Sequence, residues 1–272
     1  MPTPPPAPGS PAPLGEGEKV LLTDRKGRRY TQTLMPGATF HFHGGFLAHD
    51  ELLGAPEGST RHSSKGQPLL ALRPTSSDWT LKAPRGAQVV YPKDQAMIVA
   101  LGDIAPGLTV VEAGAGSGAL TSALLRALGP SGRLISFELR DDHADIAERN
   151  VAERFGGLPA TWELRRGDVV EGLATVRCER VVLDLLDPAA AVKGAADALH
   201  PGGILVAYTP GVVPLMRLRE ALDADARWGL AQTSETLLRT WHVDGLAVRP
   251  DHRMVAHTAF LTVVRRLADR AA

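Results

Sequence analysis

Glu138, Asp168 and Asp184 each close a predicted strand, and a fourth acid, Glu112, precedes three glycines at alternate positions, Gly114, Gly116 and Gly118. A carboxylate accepts hydrogen bonds from hydroxyls and amines and faces positive charge well. Residues without Cβ are needed where the backbone turns sharply and where a ligand must touch the main chain. These types in this order describe a loop built around a polar cofactor, with acids set to grip it.

The surrounding elements must bring the acids to the loop. Val110 and Val111 lead into it, and Leu120, Leu124 and Leu128 recur on one helical face after it, so the stretch reads strand, glycine loop, helix. Strand and helix then alternate, which implies a mostly parallel sheet. Leu134 to Glu138 reads as a buried strand. Asp141 or Asp142 is expected to cap the next helix, whose Ala144, Ala147, Val151 and Phe155 lie at helical spacing. Thr161 to Asp168, Arg180 to Asp184 and Gly203 to Tyr208 are the third, fourth and fifth strands. After a helix from Val212 to Leu222, Glu235 to Val243 and Met254 to Arg265 read as long terminal strands forming an antiparallel pair. Ligands of open α/β sheets collect outside the carboxyl ends of the strands, where strand order reverses, and Glu138, Asp168 and Asp184 all fall at that edge. Asp187 directly before Pro188 has the form of an N-cap followed by an N1 proline and is given a structural role.

A dinucleotide site wants G-x-G-x-x-G, whereas this run is G-x-G-x-G after an acid. It resembles the first motif of the class I S-adenosylmethionine (SAM) methyltransferases, with a Rossmann-like, mostly parallel seven-stranded sheet. A purely structural tight turn is the competing explanation of the loop, and helix caps or solvated loop ends that of each acid taken singly. With SAM as ligand, Glu138 can accept both ribose hydroxyl protons, Asp168 the adenine amino group, and His143 borders the adenosine, while Asp184, across the switch point, faces the methyl group. The cofactor-binding set is then Glu112, Gly114, Gly116, Ser117, Gly118, Ala119, Leu120, Glu138, His143, Asp168 and Asp184.

The 272 residues suggest about two domains, and 30 basic against 30 acidic side chains leave no global positive field to draw in a nucleic acid, so any such partner needs a local patch. The single Cys178 excludes an intramolecular disulfide framework and a cysteine-rich metal site. No apolar run is long enough to span a bilayer, and the N-terminus lacks a basic and apolar leader, so a cytoplasmic soluble protein is expected. Residues 1–15, rich in proline, glycine and alanine, are expected to be a disordered tail. Residues 16–89 read as a small β-rich N-terminal domain and 90–272 as the catalytic domain. In the former, KVLLTD (19–24) and YTQTL (30–34) flank a glycine turn with four cations that either contact phosphates or are simply solvated; Val20, Leu22, Tyr30 and Leu34 face inward. His41 and His43 share a strand face, but no further ligand completes a tetrahedral set, so no metal is expected.

Over nearly its whole length after the tail, the chain resembles the tRNA (adenine-58-N1)-methyltransferases of bacteria and archaea. The specific signals are Tyr91-Pro92-Lys93-Asp94, Leu183-Asp184-Leu185, Glu235-x-x-x-Arg239-x-Trp241, and Arg249-Pro250-x-His252-x-Met254-x-x-His257-Thr258-Ala259-Phe260-Leu261. The segment His49-Asp50-x-Leu52-x-Gly54-x-Pro56-x-Gly58-Ser59 resembles that family's N-terminal domain. The resemblance implies that Asp184 holds the target adenine, that Tyr91 and Tyr208 flank it, and that the protein is a homotetramer acting on tRNA. One departure is Ala189-Ala190-Ala191 after Pro188, where an aromatic often follows. Two other functions share these features: a SAM-dependent enzyme acting on a small molecule or protein carboxylate, and a non-catalytic tRNA-binding partner of the same fold.

Overall fold

A computed structural model describes residues 5–84, 86 and 88–269 and divides the chain into two compact units, Met1–Lys82 and Ala83–Ala272. Positions 1–4 of the expected tail, Arg85 and Ala87 of the expected N-terminal domain, and 270–272 of the expected catalytic domain lie outside the described residues.

The first unit is built from short strands. β1 (Lys19–Asp24), β2 (Arg29–Thr33), β5 (Thr60–His62) and β6 (Pro68–Leu72) form a sheet in the order β2-β1-β6-β5, β3 (Thr39–Phe42) pairs with β4 (Gly45–Ala48), and helix α1 (Ser76–Lys82) follows. Val20, Leu22 and Leu34 are fully buried and Tyr30 packs against them, as the alternation predicts. Arg28 and Arg29 of the basic turn are engaged by Asp24 and Asp78 of the same unit.

The expectation of a disordered tail is corrected for the residues leading into β1. Leu14 is 1% exposed, its N–H donates to Ala55 O and its carbonyl accepts from Gly54 N. The buried Arg73 guanidinium donates to the carbonyls of Ser10, Ala12 and Pro13 as well as to Glu18 and Glu57. Proline removes backbone donors but leaves acceptors, and one buried arginine with five N–H groups can gather them. Composition alone, with almost no large apolar residues, does not reveal this.

The second unit contains α2 (Pro92–Leu101), β7 (Thr109–Ala113), α3 (Ala119–Leu128), β8 (Arg133–Glu138), α4 (Asp141–Phe155), β9 (Trp162–Arg166), the short α5 (Val169–Gly172), β10 (Cys178–Asp184), α6 (Val192–Ala198), β11 (Leu199–Thr209), α7 (Val212–Asp223), β12 (Trp228–Glu235), β13 (Trp241–Asp244), β14 (Ala247–Pro250) and β15 (Phe260–Arg266). Seven of these strands form one sheet, β12-β15-β11-β10-β7-β8-β9, parallel except for β15. Successive side chains of a strand point to opposite faces, so Val111, Val181, Leu183 and Leu205 pack with α5, α6 and α7, while Val110, Val182 and Val206 pack with α2, α3 and α4. Both faces are covered, which is why the central strands are continuous apolar runs. Strand order reverses at β7, between β8 and β10.

Two boundaries differ from expectation. The antiparallel terminal pair is β12 with β15, but its first strand ends at Glu235, where it was expected to begin, and the following residues instead form the β13–β14 hairpin with Gly245 at φ +52°. Neither Asp141 nor Asp142 caps α4: Arg140 is the N-cap, without a side-chain capping bond, and Asp142 pairs with Arg140. Asp187 does cap the turn that Pro188 opens, accepting from Ala189 N.

Candidate active site

The carboxyl edge of β7, β8 and β10 opens onto a cavity of about 680 Å³ lined by Gly114, Gly116, Glu138, His143, Asp168, Asp184 and Tyr208, among others. Side chains from four strand ends thus meet at the switch point, where the strand reading places them.

The loop explains itself residue by residue. Gly114 has φ +85°, and a Cβ there would lie 2.1 Å from the Asp184 carbonyl oxygen, so only glycine allows the end of β7 to lie against the end of β10. Gly116, at φ +55°, would meet nothing nearer than 3.8 Å, which leaves room on the ligand side. Gly118 instead presses on α4, its absent Cβ 3.1 Å from Ala147 O. Ser117, Ala119 and Leu120 are buried beneath the loop, the carbonyl of Ser117 accepting from Asn150 Nδ2, so the structure brings Gly118 and these three residues to packing rather than to the cavity wall.

Glu138 is tied to the backbone on both sides of the cavity edge. Its Oε2 accepts from Gly116 N at 2.8 Å and its Oε1 from Arg140 N at 3.0 Å, with His143 Nδ1 3.9 Å away. The first bond locks the loop to the carboxylate, and the two together leave roughly half of its four acceptor positions unused. Asp168 lies two residues past β9 and caps α5 through Val170 N, yet also lines the cavity, so its two readings are compatible.

Glu112 lies elsewhere. It points from β7 into the layer under α3, fully buried, accepting from Thr121 Oγ1 at 2.8 Å and Ser136 Oγ at 2.5 Å, and does not line the cavity. Burial pushes its carboxyl up to about 7, against the pull of the two hydroxyls. Tyr91 is the N-cap of α2 and is likewise not part of the wall.

Asp184 ends β10 directly beside Tyr208 in the β10–β11 register. No described residue donates a hydrogen bond to its carboxyl, which burial and the negative charge of Glu138 push up to about 7. An acceptor aimed into a cavity without a partner of its own is suited to a ligand amine or a cation. Burial also raises the Tyr208 phenol. Sequence reasoning missed Phe137, Leu139, Leu185 and Thr258 on the wall; three of them adjoin strand-end acids already identified, so the strand ends themselves carried the signal.

This sheet order, with a glycine loop after the central strand and acids at the next strand ends, defines a class I SAM-dependent methyltransferase. The fit to SAM rests on the open side of Gly116 and the unused acceptor positions of Glu138. Solved structures agree: a SAM-dependent O-methyltransferase from Thermotoga maritima (TM-score 0.90, 27% identity, covering 95% of this chain and 96% of that one) and the tRNA (m1A58) methyltransferase TrmI from Aquifex aeolicus (TM-score 0.83, 25% identity, 94% and 100%). Within that class the chain belongs to the family described as the tRNA methyltransferase complex GCD14 subunit, matched over residues 69–254, with a TrmI-like N-terminal match over 13–60. It is 38% identical over 247 residues to the tRNA (adenine(58)-N(1))-methyltransferase TrmI of Thermus thermophilus, covering 91% of this chain and 96% of that one.

Proposed function

We propose that the protein transfers a methyl group from SAM to ring N1 of an adenine in tRNA, the T-loop adenine at position 58. The observation that carries this is the Asp184 carboxyl on the cavity wall beside Tyr208, to which no described residue donates a hydrogen bond, in a chain similar over nearly its whole length to an enzyme named for that reaction. When bound, SAM supplies an electrophilic methyl group on a sulfonium centre. Glu138 would hold its ribose hydroxyls, with Asp168 and His143 toward the adenosine, and Gly114 and Gly116 admit it to the backbone.

Ring N1 of adenine has a free lone pair, so no strong base is required; the protein must orient the base and accommodate the positive charge that develops on it. Ionised Asp184 does both, accepting from the exocyclic amino group and facing the nascent cation. The sequence Asp184-Leu185-Leu186-Asp187 lacks the N/D-P-P-Y/F signature common in enzymes that methylate the amino group itself. The base must leave its stack, at a cost of a few kcal/mol, which the protein's contacts with the RNA must offset. Homotetrameric assembly and a cytoplasmic location belong to the same proposal; among the described residues no helix is long and apolar enough to cross a membrane.

Incubation with SAM and unmodified tRNA, followed by digestion to nucleosides, should yield 1-methyladenosine; a product methylated on the amino group, or none, overturns the proposal. Two further results are expected. Glu138→Ala removes both the ligand acceptor and the lock on Gly116, so SAM affinity measured by calorimetry should fall at least about 100-fold, the loss of two charge-assisted bonds. Because only ionised Asp184 serves, kcat/KM with both substrates below saturation, which reports the free protein, should rise with pH through about 7 and level off above it. A profile flat from pH 6 to 8 would deny that Asp184 acts as a carboxylate.

A further inference from the structure

Lys93, Asp94 and Thr258 take no part in the chemistry above, yet they form a nearly closed polar network in the apolar layer behind Tyr208. Lys93 Nζ donates to Asp94 Oδ1 at 2.7 Å and to Thr258 Oγ1 at 2.6 Å, and Thr258 Oγ1 donates to Asp94 Oδ2 at 2.6 Å. The side chains of Lys93 and Asp94 are 4% and 0% exposed. A threonine hydroxyl has one proton to give and two lone pairs. Here the proton goes to Asp94 and one lone pair takes Lys93, which leaves the other available to the Tyr208 phenol, since Tyr208 and Thr258 line the same cavity wall.

The network links distant parts of the chain around one ring. Lys93 and Asp94 occupy the first turn of α2, next to its N-cap Tyr91, whose carbonyl accepts from Asp94 N at 2.9 Å. Thr258 precedes β15, whose Leu261 pairs with Tyr208 of β11, and Tyr208 in turn pairs with Asp184 of β10. Thr258 also reaches the cavity wall. A buried ion pair is a poor means of stabilising a fold, because well-packed apolar residues of similar volume do as well or better. What such a network can provide is one fixed arrangement of its members, since every alternative leaves a buried charge unpaired.

We propose that Lys93, Asp94 and Thr258 are positioning residues: their network holds the Tyr208 ring beside Asp184 and so sets the slot that receives the target base. The inference rests on the tRNA-methylation reading above and adds to it a device that acts on the base, not on SAM.

The test compares wild type, Thr258→Val, Thr258→Ser, Tyr208→Phe and the Thr258→Val/Tyr208→Phe double variant of the full-length protein, at a temperature well below each unfolding midpoint. Thr258→Val keeps the shape and removes the hydroxyl. It should lower kcat with saturating tRNA at least about tenfold, since small misplacements of a substrate slot carry large rate penalties, while SAM affinity stays within about threefold of wild type. Thr258→Ser should restore most of the rate. In the Tyr208→Phe background Thr258→Val should change kcat less than about twofold, because the group it acts through is gone. If Thr258→Val does not fold, Thr258→Ala serves in the same cycle. Wild-type kcat in Thr258→Val, or effects of the two single changes that simply multiply, would overturn the proposal and leave the network a purely structural role. A wild type that binds SAM but methylates no tRNA would fail in a different pattern, overturning the substrate reading and with it any role of the network in that reaction.

Discussion

Asp184→Asn should lower kcat for methyl transfer by about 10²–10³-fold, the range for removing one preorganised group that stabilises transition-state charge, with SAM affinity changed by less than about threefold. Asparagine keeps the shape and an acceptor oxygen, so the base can still be oriented; what is lost is the negative charge facing the nascent cation. The same substitution should make the fold more stable at pH 8. The Asp184 carboxyl is raised from 3.8 to about 7 by burial and by Glu138, so the folded state favours its protonated form. The stability contributed by holding that proton is fully present below 3.8 and is lost as pH rises through about 7. Asparagine never bears the charge, so its advantage should appear at pH 8 and vanish near pH 4, as read from urea unfolding midpoints. A variant that is both slow and unstable at pH 8 would mean that Asp184 holds the sheet edge together instead of serving the reaction.

Gly114→Ala should abolish SAM binding and destabilise the second unit by several kcal/mol. Its Cβ would lie 2.1 Å from the Asp184 carbonyl oxygen, a backbone atom that cannot swing aside, at a backbone φ of +85°. The strands β7 and β10 must then separate at the edge of the cavity. Gly116→Ala is the control. It shares the positive φ but meets only Gly114 O at 3.8 Å, so its fold should lose just the roughly 1–2 kcal/mol of a left-handed non-glycine residue. Unfolding midpoints of the two variants should therefore differ sharply; equal losses of stability would show that backbone strain, and not the approach of the two strands, makes Gly114 necessary.

The parallel core was legible because its strands are buried on both faces and its helices are periodic: Val110, Val111 and Leu120 announce β7 and α3 without help from tertiary structure. The site was legible for a related reason, since a parallel sheet exposes its ligand edge only at strand ends, and acids there stand out. The failures occur where a side chain's surroundings depart from its type. Leu237, Leu238, Trp241 and Val243 lie in the stretch read as a long terminal strand, yet each is about half exposed or more, so their apolar character reflects no packing into the sheet. β12 escaped detection up to its last residue because a bulge between Gly229 and Gln232, with Leu230 at φ +59°, breaks the period-two alternation. Glu112 and Glu138 are the same residue type on neighbouring strands, but one faces α3 and the other the cavity, a difference of facing that a strand-end pattern does not encode. The network of Lys93, Asp94 and Thr258 joins residues more than 160 positions apart and has no local signature.

The decisive experiment is methyl transfer from labelled SAM to two unmodified tRNA transcripts, one intact and one with only the position-58 adenine replaced, each with wild type and Asp184→Asn. Label should enter the intact transcript with wild type, fall at least about 100-fold with Asp184→Asn, and be absent from the replaced transcript with either protein. Equal labelling of both transcripts, or full labelling by Asp184→Asn, would contradict the assignment of that adenine as target and of Asp184 as the group that holds it.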